Sequence, residues 1–187
     1  MEATRRLREE HQVISKVLDC FEIALGEARE AGALDGPIFE KFVDFFRGFA
    51  DQCHHCKEED RLFPVLVLAG IPKEGGPIGC MLAEHEQARA FVRAIAERLE
   101  AAGRGDGAAI DALIEHGEMF IDLMRNHIAK ENDVLFNMAD GILDESQIER
   151  LSRSYDDAEA QPEYCARFAR SRVIADELTR RYGVPAP

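Results

Sequence analysis

The sequence contains no run of about 18 apolar residues, so it predicts no membrane-spanning helix. Its first six residues, MEATRR, lead into an acidic, amphipathic pattern and lack the apolar stretch of a secretory signal. The alternation of apolar and polar residues that half-buried β-strands require is also missing. These absences predict a soluble, all-α protein of the cytoplasm that does not bind membranes.

Positive charge is scarce, because 23 Lys and Arg stand against 36 Asp and Glu, for a formal net charge of −13. A surface this acidic repels nucleic acid and anionic lipid and tolerates cations. No phosphate-binding glycine loop, dinucleotide fingerprint or Ser-His-Asp set is present. The five cysteines are an odd number without a signal peptide, which argues against a disulfide framework.

The apolar residues recur at helical spacings, and 187 residues suit one domain with a short extension. Glycine and proline divide the pattern into four long helices, near residues 4–31, 37–69, 77–103 and 107–140, and two shorter C-terminal ones, of which the first begins near residue 144 and the second spans about 162–182. Short loops between the long helices predict an up-down-up-down antiparallel four-helix bundle at residues 1–140. We expect residues 141–187 to form accessory helices packed on the bundle, or a contact surface for a homodimer.

Each long helix carries a histidine on or beside its apolar face: His11, His54 or its neighbour His55, His85 and His127. Glu131 follows His127 by four residues on a face that continues through Leu135 and Met138, and Glu58 follows His54 by four. A buried carboxylate requires a proton, a cation or a metal ion. Neutral imidazole suits iron, copper or zinc, and a carboxylate can bridge two ions. The pattern therefore predicts a metal site rather than four structural histidines.

An internal repeat bears on which histidine of the second helix faces inward. Residues 54–64 read HHCKEEDRLFP and residues 127–137 read HIAKENDVLFN. The alignment pairs His54 with His127 and Glu58 with Glu131, so it favours these residues as equivalent halves of one site. Helical phase alone leaves the pair His55 and Glu59 as an alternative.

The depth of each histidine along its helix is consistent with one site. At 1.5 Å per residue, and with alternating helix directions, all of them fall within roughly 10–24 Å of the same end of the bundle. They can therefore meet in a single layer.

Two other metal sites fit the sequence less well. Residues 53–56 read CHHC, which superficially resembles a zinc motif, but such a site would leave the histidines of the other three helices unexplained. Ferritin-like di-iron proteins use Glu-x-x-His and more carboxylates than this chain offers.

The chain resembles the hemerythrin-like (HHE cation-binding) family over about residues 4–140. The resemblance rests on the lone His11, on the two His-x-x-x-Glu motifs with their trailing Leu-Phe, and on the sequence AEHE around His85. It implies two non-haem iron ions, bridged by carboxylates and an oxo or hydroxo group. The ligands implied are His11, His54, Glu58, His85, His127 and Glu131, with Glu58 and Glu131 as the bridges.

The chain departs from the oxygen-carrying hemerythrins at two places. Arg89 stands where those proteins have a second histidine on the third helix, and the last motif is His-x-x-x-Glu rather than His-x-x-x-x-Asp. The missing ligand leaves open coordination, for which His55, Glu59 and Glu86 are candidates, while we expect His116 not to be a ligand.

The open coordination implied by the resemblance argues against reversible oxygen carriage. It favours a protein that binds or senses dioxygen, nitric oxide, peroxide or iron. The alternative is a di-iron oxidoreductase that acts on peroxide or nitric oxide.

Overall fold

The computed structural model describes residues 2–185, which are helical apart from short connections and contain no β-strand. This confirms the all-α class. The α-helices are α1 (Glu2–Ala31), α2 (Gly36–Phe45), α3 (Phe63–Leu68), α4 (Pro77–Gly103), α5 (Gly107–Lys130), α6 (Phe136–Ile142), α7 (Glu145–Glu159) and α8 (Pro162–Tyr182). No helix among the described residues is both long enough and apolar enough to cross a membrane.

Three π-helical segments interrupt the second and fourth long helices. The first, Phe46–His55, continues from α2, and the second, Glu58–Leu62, leads into α3. The third, Glu131–Leu135, joins α5 to α6. π-Helical turns are wider than α-helical turns and are frequent at functional sites. Here the second and third segments occupy equivalent positions of the internal repeat, and each begins at a glutamate of the predicted site.

The third π-helical segment corrects one expectation for the core. The α-helical period predicts that Met138 faces inward with Leu135, but the Met138 side chain is 41% exposed. Phe136 and Ala139 are buried in its place. The wider turn at residues 131–135 shifts the inward face by one residue, which local periodicity cannot reveal.

The predicted helix ends are confirmed where capping residues mark them. Asp144 and Gln147 form a capping box, in which Asp144 Oδ1 accepts a hydrogen bond from the Gln147 amide at 2.8 Å. The Gln147 side chain accepts in turn from the Asp144 amide at 2.9 Å. At the other end of the extension, Gly183 ends α8 with a left-handed φ of 66°, a conformation that glycine adopts without strain.

Two apolar clusters lie on either side of the histidine layer. Along α1, Leu7 belongs to one cluster and Ile14 to the other, with His11 between them. The larger cluster has an aromatic centre in which Phe21 contacts Phe42 and Phe46. The helices α7 and α8 pack on this body, since α7 contacts α1 and the second π-helical segment, and α8 contacts α1 and the first.

Gly117 permits close packing between α5 and α1. A Cβ at this position would lie 2.8 Å from Leu25 Cδ1 and 3.2 Å from Phe21, both of which are buried. We expect Gly117→Leu to lower the free energy of unfolding by about 1–3 kcal/mol, because overpacking outweighs the gain in helix propensity. Urea unfolding followed by circular dichroism measures this.

Gly26 in α1 is the matched control, because a Cβ there meets nothing within 4 Å. Gly26→Leu should leave stability unchanged or raise it by about 1 kcal/mol through helix propensity. Equal effects at the two glycines would contradict the packing role of Gly117.

Candidate metal centre

Seven buried side chains meet between the two apolar clusters. They include all six residues predicted from the sequence, together with His55, and no member is more than 2% exposed. The seven are His11, His54, His55, Glu58, His85, His127 and Glu131.

The potential ligand atoms form two halves that share both carboxylates. One group consists of His11, His54, Glu58 and Glu131, and a second consists of Glu58, His85, His127 and Glu131. Within each group the atoms all lie within 4.8 Å of one another. His55 forms a third such group with the two histidines of the second half. The donors thus divide unequally, with two histidines in the first half and three in the second.

Each glutamate reaches a histidine of both halves. Glu58 Oε1 lies 3.5 Å from His54 Nε2, and its Oε2 lies 3.5 Å from His85 Nε2. Glu131 Oε2 lies 3.1 Å from His11 Nε2 and 3.3 Å from His127 Nε2. Both carboxylates therefore lie within reach of both halves of the cluster.

Both His54 and His55 face the cluster, although the sequence left open which of the two does so. His54 and His55 end the first π-helical segment and are 0% and 2% exposed. The His55 ring stacks on His85 with 3.8 Å between centroids. The wider π-helical turn accompanies this arrangement of two consecutive residues facing one site.

Four of the five histidines are oriented by an acceptor at Nδ1. His11 Nδ1 lies 3.0 Å from Asn132 Oδ1, and His54 Nδ1 lies 2.9 Å from Glu10. His85 Nδ1 lies 2.7 Å from Glu59, and His127 Nδ1 lies 3.1 Å from Glu84. Because these oxygens only accept, Nδ1 carries the proton and Nε2 presents its lone pair to the site. This is the arrangement typical of histidine ligands.

The internal repeat extends to the residues that hold two of these acceptors. Lys57 pairs with Glu10, which accepts from His54, and Lys130 pairs with Glu84, which accepts from His127. Sequence reasoning missed these four residues. Two features of the sequence point to them. Lys57 and Lys130 occupy the same position of the internal repeat, and Glu10 and Glu84 immediately precede His11 and His85.

Glu59, Glu86 and His116 lie outside the cluster. Glu59 binds His85 Nδ1 and accepts from Arg89 at 2.8 Å, so it faces the outer side of a histidine. Glu86 pairs with Arg89 on the surface. Arg89 also binds Asp51 at 2.7 Å, so its guanidinium is occupied by carboxylates. His116 Nδ1 donates to the Ala112 carbonyl at 2.6 Å.

The cysteines of the CHHC segment take no part in the cluster. Cys53 is buried and Cys56 is partly exposed, and neither belongs to a group of potential ligands among residues 2–185.

The polar atoms of the cluster fit a cation. Both carboxylate oxygens of Glu58 and Glu131 and both ring nitrogens of His55 are buried without a hydrogen-bond partner. His54 Nε2 lies 2.9 Å from His11 Nε2, and His85 Nε2 lies 3.2 Å from His127 Nε2. With Nδ1 protonated, each of these contacts places two lone pairs face to face. Buried acceptors without donors are costly, so the cluster requires positive charge among them.

The electrostatics favour neutral His54 and His55 and act in opposite directions on the two buried carboxylates. Burial, reinforced by the neighbouring rings, holds the pKa values of His54 and His55 well below the ordinary range. Burial and the adjacent Glu131 raise the pKa of Glu58 well above its usual value. Burial also acts to raise the pKa of Glu131, but His127 and His11 outweigh it and the pKa is lowered. Neutral imidazole is the form that binds metals.

A cavity of about 220 Å³ reaches His55 from the outside of the helices. The apolar side chains that line it include Phe46, Val92, Phe120 and Met124. Asp51, Arg47, Arg89 and Arg93 also line it. The cavity therefore leaves space for a small molecule beside His55.

The sequence was compared with known proteins and with protein-family models. Uncharacterized protein Rv1995 of Mycobacterium tuberculosis and Uncharacterized protein Mb2018 of Mycobacterium bovis are each 22% identical over 157 residues, which cover 84% of this chain. The chain spans 61% of the length of these curated relatives. No solved structure matches it significantly. The family model described as Hemerythrin HHE cation binding domain matches residues 2–139, a range that contains all seven clustered side chains. The chain therefore belongs to the hemerythrin family.

Proposed function

We propose that this chain binds two non-haem iron ions and uses them to bind or sense a small ligand such as dioxygen, nitric oxide or peroxide. In this proposal His11 and His54 hold one ion, and His55, His85 and His127 hold the other. Glu58 and Glu131 bridge the two. The observation that carries the proposal is the set of buried, partnerless carboxylate oxygens that face both halves of the cluster.

The mixture of imidazole and carboxylate donors supports iron, since both ligand types suit it. The half with two histidines offers fewer protein donors than the half with three, so it has room for a ligand from solution. The cavity beside His55 supplies space near the other half. When bound, an iron pair would supply reversible electron transfer to such a ligand.

The residues of the chain prepare the site for the ions. Glu10, Glu59, Glu84 and Asn132 hold protons on the outer nitrogens of four histidines and leave the inner nitrogens free to bind. The apolar clusters on both sides exclude water from the layer. The antiparallel up-down-up-down order of the four long helices belongs to the same proposal and is supported by the short loops between them.

The first experiment is metal analysis with an ultraviolet–visible spectrum of the aerobically purified protein. We expect two irons per chain and charge-transfer bands in the near ultraviolet. A single tightly held zinc with a featureless spectrum would contradict the proposal.

Addition of hydrogen peroxide to the iron-loaded protein then separates sensor from enzyme. A stable spectral change without consumption of peroxide supports binding or sensing. Catalytic loss of peroxide supports the alternative, a di-iron oxidoreductase.

Metal removal should destabilise the fold. Removal of the metal by a chelator leaves the facing histidine nitrogens and the buried carboxylates without a compensating cation. Bound ions stabilise the folded state by about 2.7 kcal/mol per site when free metal is a hundredfold above its Kd. Thermal unfolding with and without chelator measures the difference. Equal melting temperatures would show that the cluster is stable without a cation.

A further inference from the structure

The two halves of the centre repeat the same contacts but differ in burial. Lys57 binds Glu10, which orients His54, and Lys130 binds Glu84, which orients His127. The Lys57 side chain is 2% exposed, whereas the Lys130 side chain is 41% exposed. The internal repeat therefore does not account for the environment of Lys57.

The C-terminal helices create this difference. Glu159, the last residue of α7, accepts from Lys57 Nζ at 2.8 Å. The ammonium also lies 5.8 Å from the Tyr155 ring centroid and 5.6 Å from that of Tyr164. All three residues lie beyond residue 139, where the match to the hemerythrin family ends. Among the described residues, Lys130 has Glu84 as its one ion-pair partner.

Burial determines how firmly each lysine holds its glutamate. An ion pair withdrawn from water is little screened, whereas an exposed pair is weakened by solvent and salt. The aromatic rings add cation–π attraction to the buried ammonium. Glu10 is therefore held in place more rigidly than Glu84, and its hydrogen bond keeps His54 Nε2 directed at the site.

We propose that the C-terminal helices lock the metal ion of the His11–His54 half through the chain Glu159–Lys57–Glu10–His54. Glu159 is a positioning residue that acts on the metal through three other side chains. The inference rests on the proposed di-iron function. It predicts that the two ions leave the protein at different rates and that the extension slows the release of only one.

The test measures iron release from the full chain. Protein loaded anaerobically with ferrous iron is mixed with excess of a chromogenic ferrous chelator, and the absorbance is followed. We expect two kinetic phases in the wild type. Glu159→Gln should accelerate one phase by about threefold, less than the 10–100-fold effect of changing a direct partner of a metal ligand, because Lys57 and Glu10 stand between Glu159 and His54.

Two variants assign the phases. Glu10→Gln removes the negative charge of the direct partner of His54, and with it the ion pair to Lys57, and should accelerate the phase that Glu159→Gln accelerates. Glu84→Gln removes the negative charge of the direct partner of His127, and with it the ion pair to Lys130, and should accelerate the other phase. The matched control is Glu149→Gln, which changes an exposed glutamate of α7 paired with Arg153 and should leave both phases unchanged.

The outcomes separate the inference from the function on which it rests. A wild-type chain that retains no iron refutes the di-iron proposal. If the wild type holds two ions but Glu159→Gln releases them as the Glu149→Gln control does, the locking role is wrong. Equal acceleration of both phases by Glu159→Gln also refutes it, because general destabilisation would act on both halves.

Discussion

Replacement of Glu58 by alanine is expected to remove both metal ions. Glu58 belongs to the donor groups of both halves, and its two oxygens approach His54 and His85 separately. Loss of a shared ligand should lower affinity by more than the roughly 10–100-fold that follows from changing an outer partner. Metal per chain, measured by atomic emission after gel filtration, reports the effect.

The control for Glu58→Ala is His116→Ala. His116 binds a backbone carbonyl of its own helix and lies outside the cluster, so this variant should keep its full metal content. Full metal content in Glu58→Ala would show that the carboxylate does not bridge the two halves.

Substitutions of His54 and His55 test which half of the cluster each histidine serves. We expect His54→Ala and His55→Ala each to lose about one ion per chain, since the two residues serve different halves. Two irons retained in His54→Ala, with loss in His55→Ala, would overturn the pairing of His54 with Glu58. Two irons retained in His55→Ala would make His55 a packing neighbour of His85.

Replacement of Lys57 by methionine is expected to destabilise the metal-free protein by about 3–5 kcal/mol, the range for breaking a buried ion pair. The change leaves Glu10 and Glu159 without the ammonium that they share. Burial opposes the charge on Lys57, but Glu10 and the other partners outweigh it and raise the pKa of Lys57, so it is charged in the fold. Urea unfolding in the presence of chelator isolates this effect from metal binding.

Lys41→Met is the matched control, because Lys41 forms a partly exposed pair with Glu177 at the surface. Lys41→Met should lower the free energy of unfolding by about 0–1 kcal/mol. The double variant Lys57→Met/Glu10→Gln should recover part of the loss, because it removes an uncompensated charge. An effect of Lys57→Met no larger than that of Lys41→Met would contradict the burial of this network.

Local chemistry explains why much of the fold was predictable. Apolar residues at spacings of three and four define helices regardless of distant contacts, and residues such as Pro37, Asp144 and Gly183 fix their ends. Six of the seven clustered side chains were also predicted, since a histidine or glutamate on an apolar face is costly unless the fold uses it.

Other features depend on contacts between distant parts of the chain. Regular α-helical phase could not place His54 and His55 together, nor turn Met138 outward, because the deciding π-helical turns are irregular. The sequence places Glu10 immediately before His11 but does not show that it contacts a different histidine. That contact forms only when Lys57 and His54 approach Glu10 across the helices.

The sequence by itself determined the helices, the layer in which they could place their histidines, and the repeat that relates the two halves of the centre. Those properties follow from periodicity and capping, which operate within a few residues. The tertiary structure alone decided that five histidines meet two glutamates, and that the C-terminal helices bury only one of two equivalent lysines. Burial and charge compensation depend on residues more than a hundred positions apart, such as Lys57 and Glu159, and only the folded chain brings them together.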